Sequence, residues 1–189
     1  FKNKNKKPAL ILKTTMSGSS YMDREEIIKK IKRIKATVNA KDLPEIYLFH
    51  GDLTDSEINE LYNHPKVKAM VSLSRGEGFG RPLIEFTLSK KPLITTSCSG
   101  PLDFLNGNMS VLINTTDVEI PQQLTNQWLI EGSKWSEPDQ SQVGFYLKDV
   151  FENYRKYTDG GKRQGYRSKT EFNITKMKEL IKDKFDKYI

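Results

Sequence analysis

The sequence predicts an α/β protein: a parallel sheet with helices on both faces. Short apolar runs alternate with stretches of helical periodicity from Pro8 to Asn114. The runs are apolar throughout rather than at every second residue, as expected of strands covered on both sides. Most helical stretches carry a cap or a breaker at one end. A chain of 189 residues suffices for one substantial domain and is short for two, so residues 1–189 are read as a single domain.

The first strand is "PALILKT", read as buried. "DREEIIKKIKRIKATV" follows as a helix, with Ile27, Ile28, Ile31, Ile34 and Val38 at helical spacing and Asp23 as the expected N-cap. "EIYLFHG" is the second strand, closed by Gly51. In the helix "TDSEINELYNHP", Thr54 or Asp55 caps, Glu57 adds early negative charge, and Pro65 lies beyond the end. "VKAMVSLS" is the third strand and "RPLIEFTLSKK" the third helix, with Pro82 in the first turn, where a missing N–H costs nothing. "PLITTS", a short helix "GPLDFLN" and a fifth strand "SVLIN" complete the alternation. This is the pattern of a doubly wound, Rossmann-like domain, whose ligands bind at the carboxyl ends of the strands.

Beyond the fifth strand the pattern lapses. Residues 116–136 are expected to form an irregular excursion with a short hairpin around Trp128, and Trp128 and Trp135 to pack over the sheet. "QSQVGFYLKDVFENYRKY" reads as one helix ending before an Asp-Gly-Gly turn at residues 159–161. A last helix over residues 174–188 aligns Ile174, Met177, Leu180, Ile181, Phe185 and Tyr188 as a core stripe.

Composition excludes several classes. No apolar run approaches the roughly 20 residues of a membrane span. "FKNKNKKPAL" is not a signal peptide. The chain lacks an initiator methionine and is expected to be a piece of a longer protein. The formal charge of +7 raises a nucleic-acid reading, but the lysines are spread over helix surfaces among Glu and Asp, as solvated faces are. A single cysteine, Cys98, excludes an internal disulfide and fits a reducing, cytoplasmic compartment, so the sequons at Asn108, Asn114 and Asn173 are expected to stay unmodified. His50, His64 and Cys98 give no metal-ligand spacing, and neither metal nor cofactor is expected.

The chemistry concentrates in "SRGEGFGRPLIEF", residues 74–86. It forms the loop after the third strand and the start of the next helix. Unpaired N–H groups at such a helix start suit phosphate oxygens. Gly76, Gly78 and Gly80 allow close backbone approach, while Arg75 and Arg81 offer charge-assisted bonds or surface salt bridges. Glu77 and Glu85 suit a different task, accepting hydrogen bonds from vicinal hydroxyls. The loop "TTMSGSS" has one glycine, Gly18, and reads as an ordinary hydroxyl-rich turn rather than a dinucleotide fingerprint.

"EGFGRPLIEF", followed by "KKPLITTSCSGPLDFL", resembles the signature of the retaining glycosyltransferases of family 4, the glycosyl transferases group 1. The likeness runs from Leu73 to Leu105. It implies the C-terminal, nucleotide-sugar-binding domain of a two-domain GT-B enzyme, with metal-independent transfer of a hexose or related sugar to an acceptor hydroxyl. On this resemblance Glu77 is the catalytic residue and contacts the donor sugar. Gly78, Phe79 and Gly80 bring amides to the sugar and diphosphate, Glu85 holds the ribose, and Arg81, Ser99 and Gly100 complete the donor site. The base lies near His50 and Gly51, and the resemblance implies that part of the last helix crosses toward an N-terminal domain. The partners implied are a nucleotide sugar donor and a saccharide, lipid or protein acceptor held mainly by an N-terminal domain; peripheral membrane association of the full-length protein is compatible with this, and nucleic acid is not a partner.

Two departures stand out. The acid of the Gly-Pro turn is usually glutamate in that family and is Asp103 here. The family's Arg/Lys pair for the diphosphate normally lies before the first strand of this domain, upstream of Phe1, and Lys13 at the end of that strand is no match for it. The alternatives are a non-catalytic nucleotide- or sugar-binding module of the same fold and, less favoured, a basic nucleic-acid-binding domain.

Overall fold

The computed structural model describes residue 1 and residues 7–16, 19–39 and 42–186. Ser17, Gly18 and Tyr188 lie outside these residues. The chain forms two compact units, Phe1–Leu61 and Tyr62–Ile189.

In the first unit β1 (Leu10–Lys13) and β2 (Ile46–Phe49) pair in parallel, Leu10 opposite Ile46 and Lys13 opposite Phe49. The crossover carries α1 (Tyr21–Thr37). Its N-cap is Ser20, not Asp23: the Ser20 hydroxyl accepts from the Asp23 N–H at 3.1 Å and the Asp23 carboxylate accepts from the Ser20 N–H at 3.4 Å. Asp23 thus fills the third helical position of a capping box. α2 (Asp55–Asn63) starts in the same way on Thr54, whose hydroxyl accepts from the Glu57 N–H at 3.3 Å. Hydrogen bonds from the Thr54 backbone and hydroxyl hold the Glu57 carboxyl below its ordinary range. Expected to be buried, β1 is largely exposed, with Leu10 at 46%; a two-stranded ladder has too little neighbouring structure to cover both faces.

The second unit is built on three parallel strands in the order β3 (Met70–Ser72), β4 (Leu93–Thr96), β5 (Val111–Ile113). Neighbouring residues of β4 point to opposite faces, and two apolar clusters follow. Leu93 packs with Leu83 and Phe86 of α3 (Arg81–Thr87) and with Phe104 and Leu105. Ile94 packs with Val111, Ile113 and, from α4 (Gln140–Glu152), Val143 and Val150. This sheet is therefore covered on both faces, as predicted, and β4 is buried along its whole length.

β6 (Thr115–Glu119) and β7 (Lys134–Pro138) form an antiparallel hairpin, Thr115 opposite Pro138 and Glu119 opposite Lys134. Residues 120–133 connect them, and Trp128 stands there 82% exposed rather than packed over the sheet. The Asn126 side chain fixes the local turn, its Oδ1 accepting from the N–H groups of Trp128 at 2.8 Å and Leu129 at 3.0 Å.

The helix expected over residues 140–157 is two helices, broken at Asn153, and the second continues through the expected Asp-Gly-Gly turn: α5 runs Tyr154–Glu171. Its glycines serve packing. A methyl group on Gly161 would lie 2.8 Å from the Lys91 carbonyl, and one on Gly165 would lie 2.4 Å from the Thr87 carbonyl oxygen. Close approach to neighbouring backbone outweighs the glycine cost, about 1 kcal/mol each in a helix. At the α4–α5 elbow the Asp149 carboxylate accepts from Tyr157 Oη, Lys156 Nζ and Asn153 Nδ2. α6 (Ile174–Phe185) leaves its apolar stripe exposed, with Ile174 at 70% and Phe185 at 61%, so the core role expected of it is not what the structure has. No helix among the described residues is long and apolar enough to cross a membrane.

Candidate functional site

The loop from Ser74 to Gly80 leaves the carboxyl end of β3 and turns into α3. Gly80 is the N-cap, in the left-handed region at φ 84°, ψ 47°, which glycine adopts without penalty. Arg81 opens the helix and Pro82 follows, as predicted. A second loop, Ser97–Gly100, leaves the neighbouring β4. Thr96 Oγ1 donates to the Ser74 carbonyl at 2.7 Å, and the Gly100 N–H donates to the Glu77 carbonyl at 3.2 Å. A methyl group on Gly100 would lie 1.7 Å from the Gly78 carbonyl oxygen, so only glycine permits this contact. Ser99 sits at φ 58°, ψ −157°, a strained backbone for a residue with a side chain, costing about 1–3 kcal/mol.

These contacts place the predicted residues plainly. Glu77, Gly78, Gly80, Ser99 and Gly100 share one strand-end cluster. The stem of Glu77 lies over Gly80, 3.3 Å from where a Cβ there would sit. The half-buried Glu77 carboxylate has no hydrogen-bond or ion-pair partner among the described residues. The Phe79 ring leans on fully buried Phe104, with ring centroids 5.2 Å apart, and so anchors the loop.

Glu85 and Arg81 stand one turn apart on α3 and pair, Nε to Oε1 at 2.6 Å. Tyr62, whose phenol is pushed up by burial and by the charge of Glu85, packs edge-on against Phe86. Asp103 closes the short 3-10 turn Gly100–Asp103. His50 and Gly51 belong to the first unit. There the Lys13 ammonium donates to the Gly51 carbonyl at 2.6 Å, and His50 Nε2 is buried without a hydrogen-bond partner among the described residues.

Sequence reasoning left Arg75 evenly divided; the structure gives it a definite place. Its guanidinium forks onto Glu137, Nε to Oε2 at 2.6 Å and Nη2 to Oε1 at 3.0 Å, and lies 4.2 Å from the centre of the Trp135 ring. The Arg75 carbonyl also accepts from the Ser136 N–H at 3.0 Å. Trp135 and Glu137 are two residues apart on β7 and so share a face. That spacing in "KWSEP" was the available signal, and it points to a cation without saying which one. Among the described residues no group of three or more His, Cys, Asp or Glu gathers as a metal site.

A family profile described as "Glycosyl transferases group 1" matches residues 25–136, across the first two helices, the loop at Glu77 and the hairpin. The chain belongs to this family. Its glycosyltransferase fold has the α/β architecture of a GT-B C-terminal domain, with parallel strands and alternating helices. Three crystal structures of Anabaena Alr3699/HepE are similar in fold. The complex with UDP-glucose superposes with a TM-score of 0.60, that with UDP and glucose with 0.61, and that with UDP with 0.62, all at 13% identity. Each likeness covers 95% of this chain and 40–41% of HepE, so the chain spans about two-fifths of that protein. No curated protein matches the sequence.

Proposed function

We propose that this chain is the donor-binding part of a retaining, family 4 glycosyltransferase. The observation that carries the reading is the Glu77 carboxylate, half-buried and unpartnered on a loop held in place by Gly78 and Gly100. An ionised carboxylate kept out of protein hydrogen bonds in a rigid cradle is suited to the hydroxyls of a sugar. Membership of the glycosyltransferase family and the UDP-glucose held by HepE in its crystal structure support a nucleotide sugar as that ligand.

In this mechanism Glu77 accepts hydrogen bonds from the donor sugar hydroxyls and stabilises the positive charge that develops at the anomeric carbon. The bond to the diphosphate breaks as the bond to the acceptor oxygen forms on the same face, and the acceptor hydroxyl gives its proton to the departing diphosphate oxygen. Amides of Gly78–Gly80, with Arg81, face the diphosphate beside the Ser99–Gly100 turn, and no metal is required. Glu85 exchanges part of its Arg81 contact for the ribose hydroxyls. The acceptor is held by a further domain, so residues 1–189 alone bind donor weakly and do not transfer.

The test is a panel of nucleotide sugars offered to the full-length protein and to Glu77→Gln. The reading expects at least one donor to be turned over, and its affinity or turnover to fall roughly ten- to hundredfold on loss of the charge. Donor use that is indifferent to Glu77→Gln would falsify it.

A further inference from the structure

The β6–β7 hairpin and the Glu77 loop are joined through one residue. Arg75, two residues before Glu77, forks onto Glu137, stacks on Trp135 and takes a main-chain hydrogen bond from Ser136. All three partners are consecutive on β7. The hairpin holds its own register through Asp117, which accepts from Ser136 Oγ at 3.2 Å. On the other side, the Glu77 carbonyl takes the Gly100 N–H. The loop is therefore tied on either side of Gly76: at Arg75 to the hairpin and at Glu77 to the turn after β4. Between them lies Gly76, where nothing but the Ser99 hydroxyl, at 4.0 Å, approaches the space of a side chain. Without the Arg75 tie, the path from the Ser74 carbonyl, held by Thr96, to Glu77 runs through Gly76, and glycine fixes little by itself.

We propose that Arg75 is a positioning residue: clamped by Glu137 and Trp135, it holds the Glu77 carboxylate in register for the sugar without touching the donor. The inference rests on the donor-site reading of Glu77. A bidentate guanidinium–carboxylate pair has a planar geometry that lysine cannot reproduce, and stacking on an indole adds to it. The fork is half-exposed, so its worth to global stability is small. Its worth to the site is geometric, because an error of about 1 Å in a positioned group can cost roughly a hundredfold in rate.

The experiment uses the full-length protein, the donor from the panel that it turns over, and the variants Arg75→Lys, Arg75→Ala, Glu137→Gln and the double variant Arg75→Ala/Glu137→Gln. The expected result is a roughly tenfold or greater rise in donor KM or fall in kcat for each single variant, acceptor KM unchanged, the melting temperature within a few degrees of wild type, and a double variant no worse than Arg75→Ala. Hydrogen exchange at the Gly100 amide, which reports on the Glu77 carbonyl without any donor, is expected to speed up in Glu137→Gln. A defect in Arg75→Ala that Glu137→Gln does not share makes Arg75 a direct donor contact and overturns the proposal, as does a Gly100 amide that exchanges at the wild-type rate. If wild type uses a donor and all variants use it equally well, the clamp fails while the donor-site reading stands. If wild type binds none of the panel, both fall.

Discussion

The Gly100 Cα rests directly on the carbonyl of Gly78, leaving no room for a methyl group. This single contact fixes the spacing between the loops that leave β3 and β4. Gly100→Ala must push the two apart, and overpacking of this kind costs about 1–3 kcal/mol. The expected outcome is a lower melting temperature together with, on the proposed reading, weaker donor binding. Thermal unfolding and titration with the donor measure the two effects separately.

Arg81 and Glu85 give a prediction of opposite character. Their ion pair is exposed on the Arg81 side and spans one helical turn, so it is worth about 0.3–0.5 kcal/mol. Glu85→Gln should barely move the melting temperature. On the proposed reading it should still weaken the donor roughly tenfold or more, through loss of a charged acceptor to the ribose. A nucleoside lacking the ribose hydroxyls should lose affinity to wild type but not to Glu85→Gln.

The helical glycines separate two effects that usually travel together. Gly144, exposed on α4, has nothing within 4 Å of a would-be Cβ, so Gly144→Ala should stabilise by about 0.5–1 kcal/mol through helix propensity. Gly165→Ala gains the same propensity but drives a methyl group against the Thr87 carbonyl, at a cost of about 1–3 kcal/mol. Packing should win, and denaturant unfolding of the pair should show shifts of opposite sign.

Asp149 predicts an acid limb. Hydrogen bonds from Tyr157, then Lys156 and Asn153, hold its carboxyl down from 3.8 to about 2. A depressed carboxylate contributes stability that is fully present above its unfolded value, near pH 4, and is lost as pH falls toward 2. Tyr157→Phe removes the leading cause. The stability gap between wild type and Tyr157→Phe should be constant from neutral pH to about 4 and shrink below it, as followed by acid titration of the circular dichroism signal.

How far the sequence could be read depends on where each decision is made. The Glu77 loop and the start of α3 were legible because glycine and proline act locally: Gly80 and Pro82 do at those positions what their own chemistry dictates. The alternation of strands and helices, and the burial of β4 on both faces, followed from pattern in the same way. Gly160 and Gly161 misled because an Asp-Gly-Gly string is a turn signal only when nothing distant intervenes. Here the backbone near Met109 and Lys91 presses on the helix and requires glycine inside it. Asp23 misled by three residues, since a capping box has two polar members and Ser20 holds the first place. Arg75 could not be assigned because its partners, Trp135 and Glu137, lie some sixty residues on. Its fate depended on the strand limits and register of the hairpin around Trp128, which the irregular composition of residues 116–136 did not reveal.

Both tryptophans of the chain sit on that hairpin in contrasting surroundings, Trp128 bare to solvent and Trp135 beneath a guanidinium. The protein thus carries a built-in optical gauge. A small quencher in the medium reaches the first indole freely, while the second is partly shielded and its emission responds to movement of the cation above it. Replacing Trp128 by phenylalanine leaves a single tryptophan whose brightness, excited beyond the tyrosine band, follows the latch in real time with no dye attached.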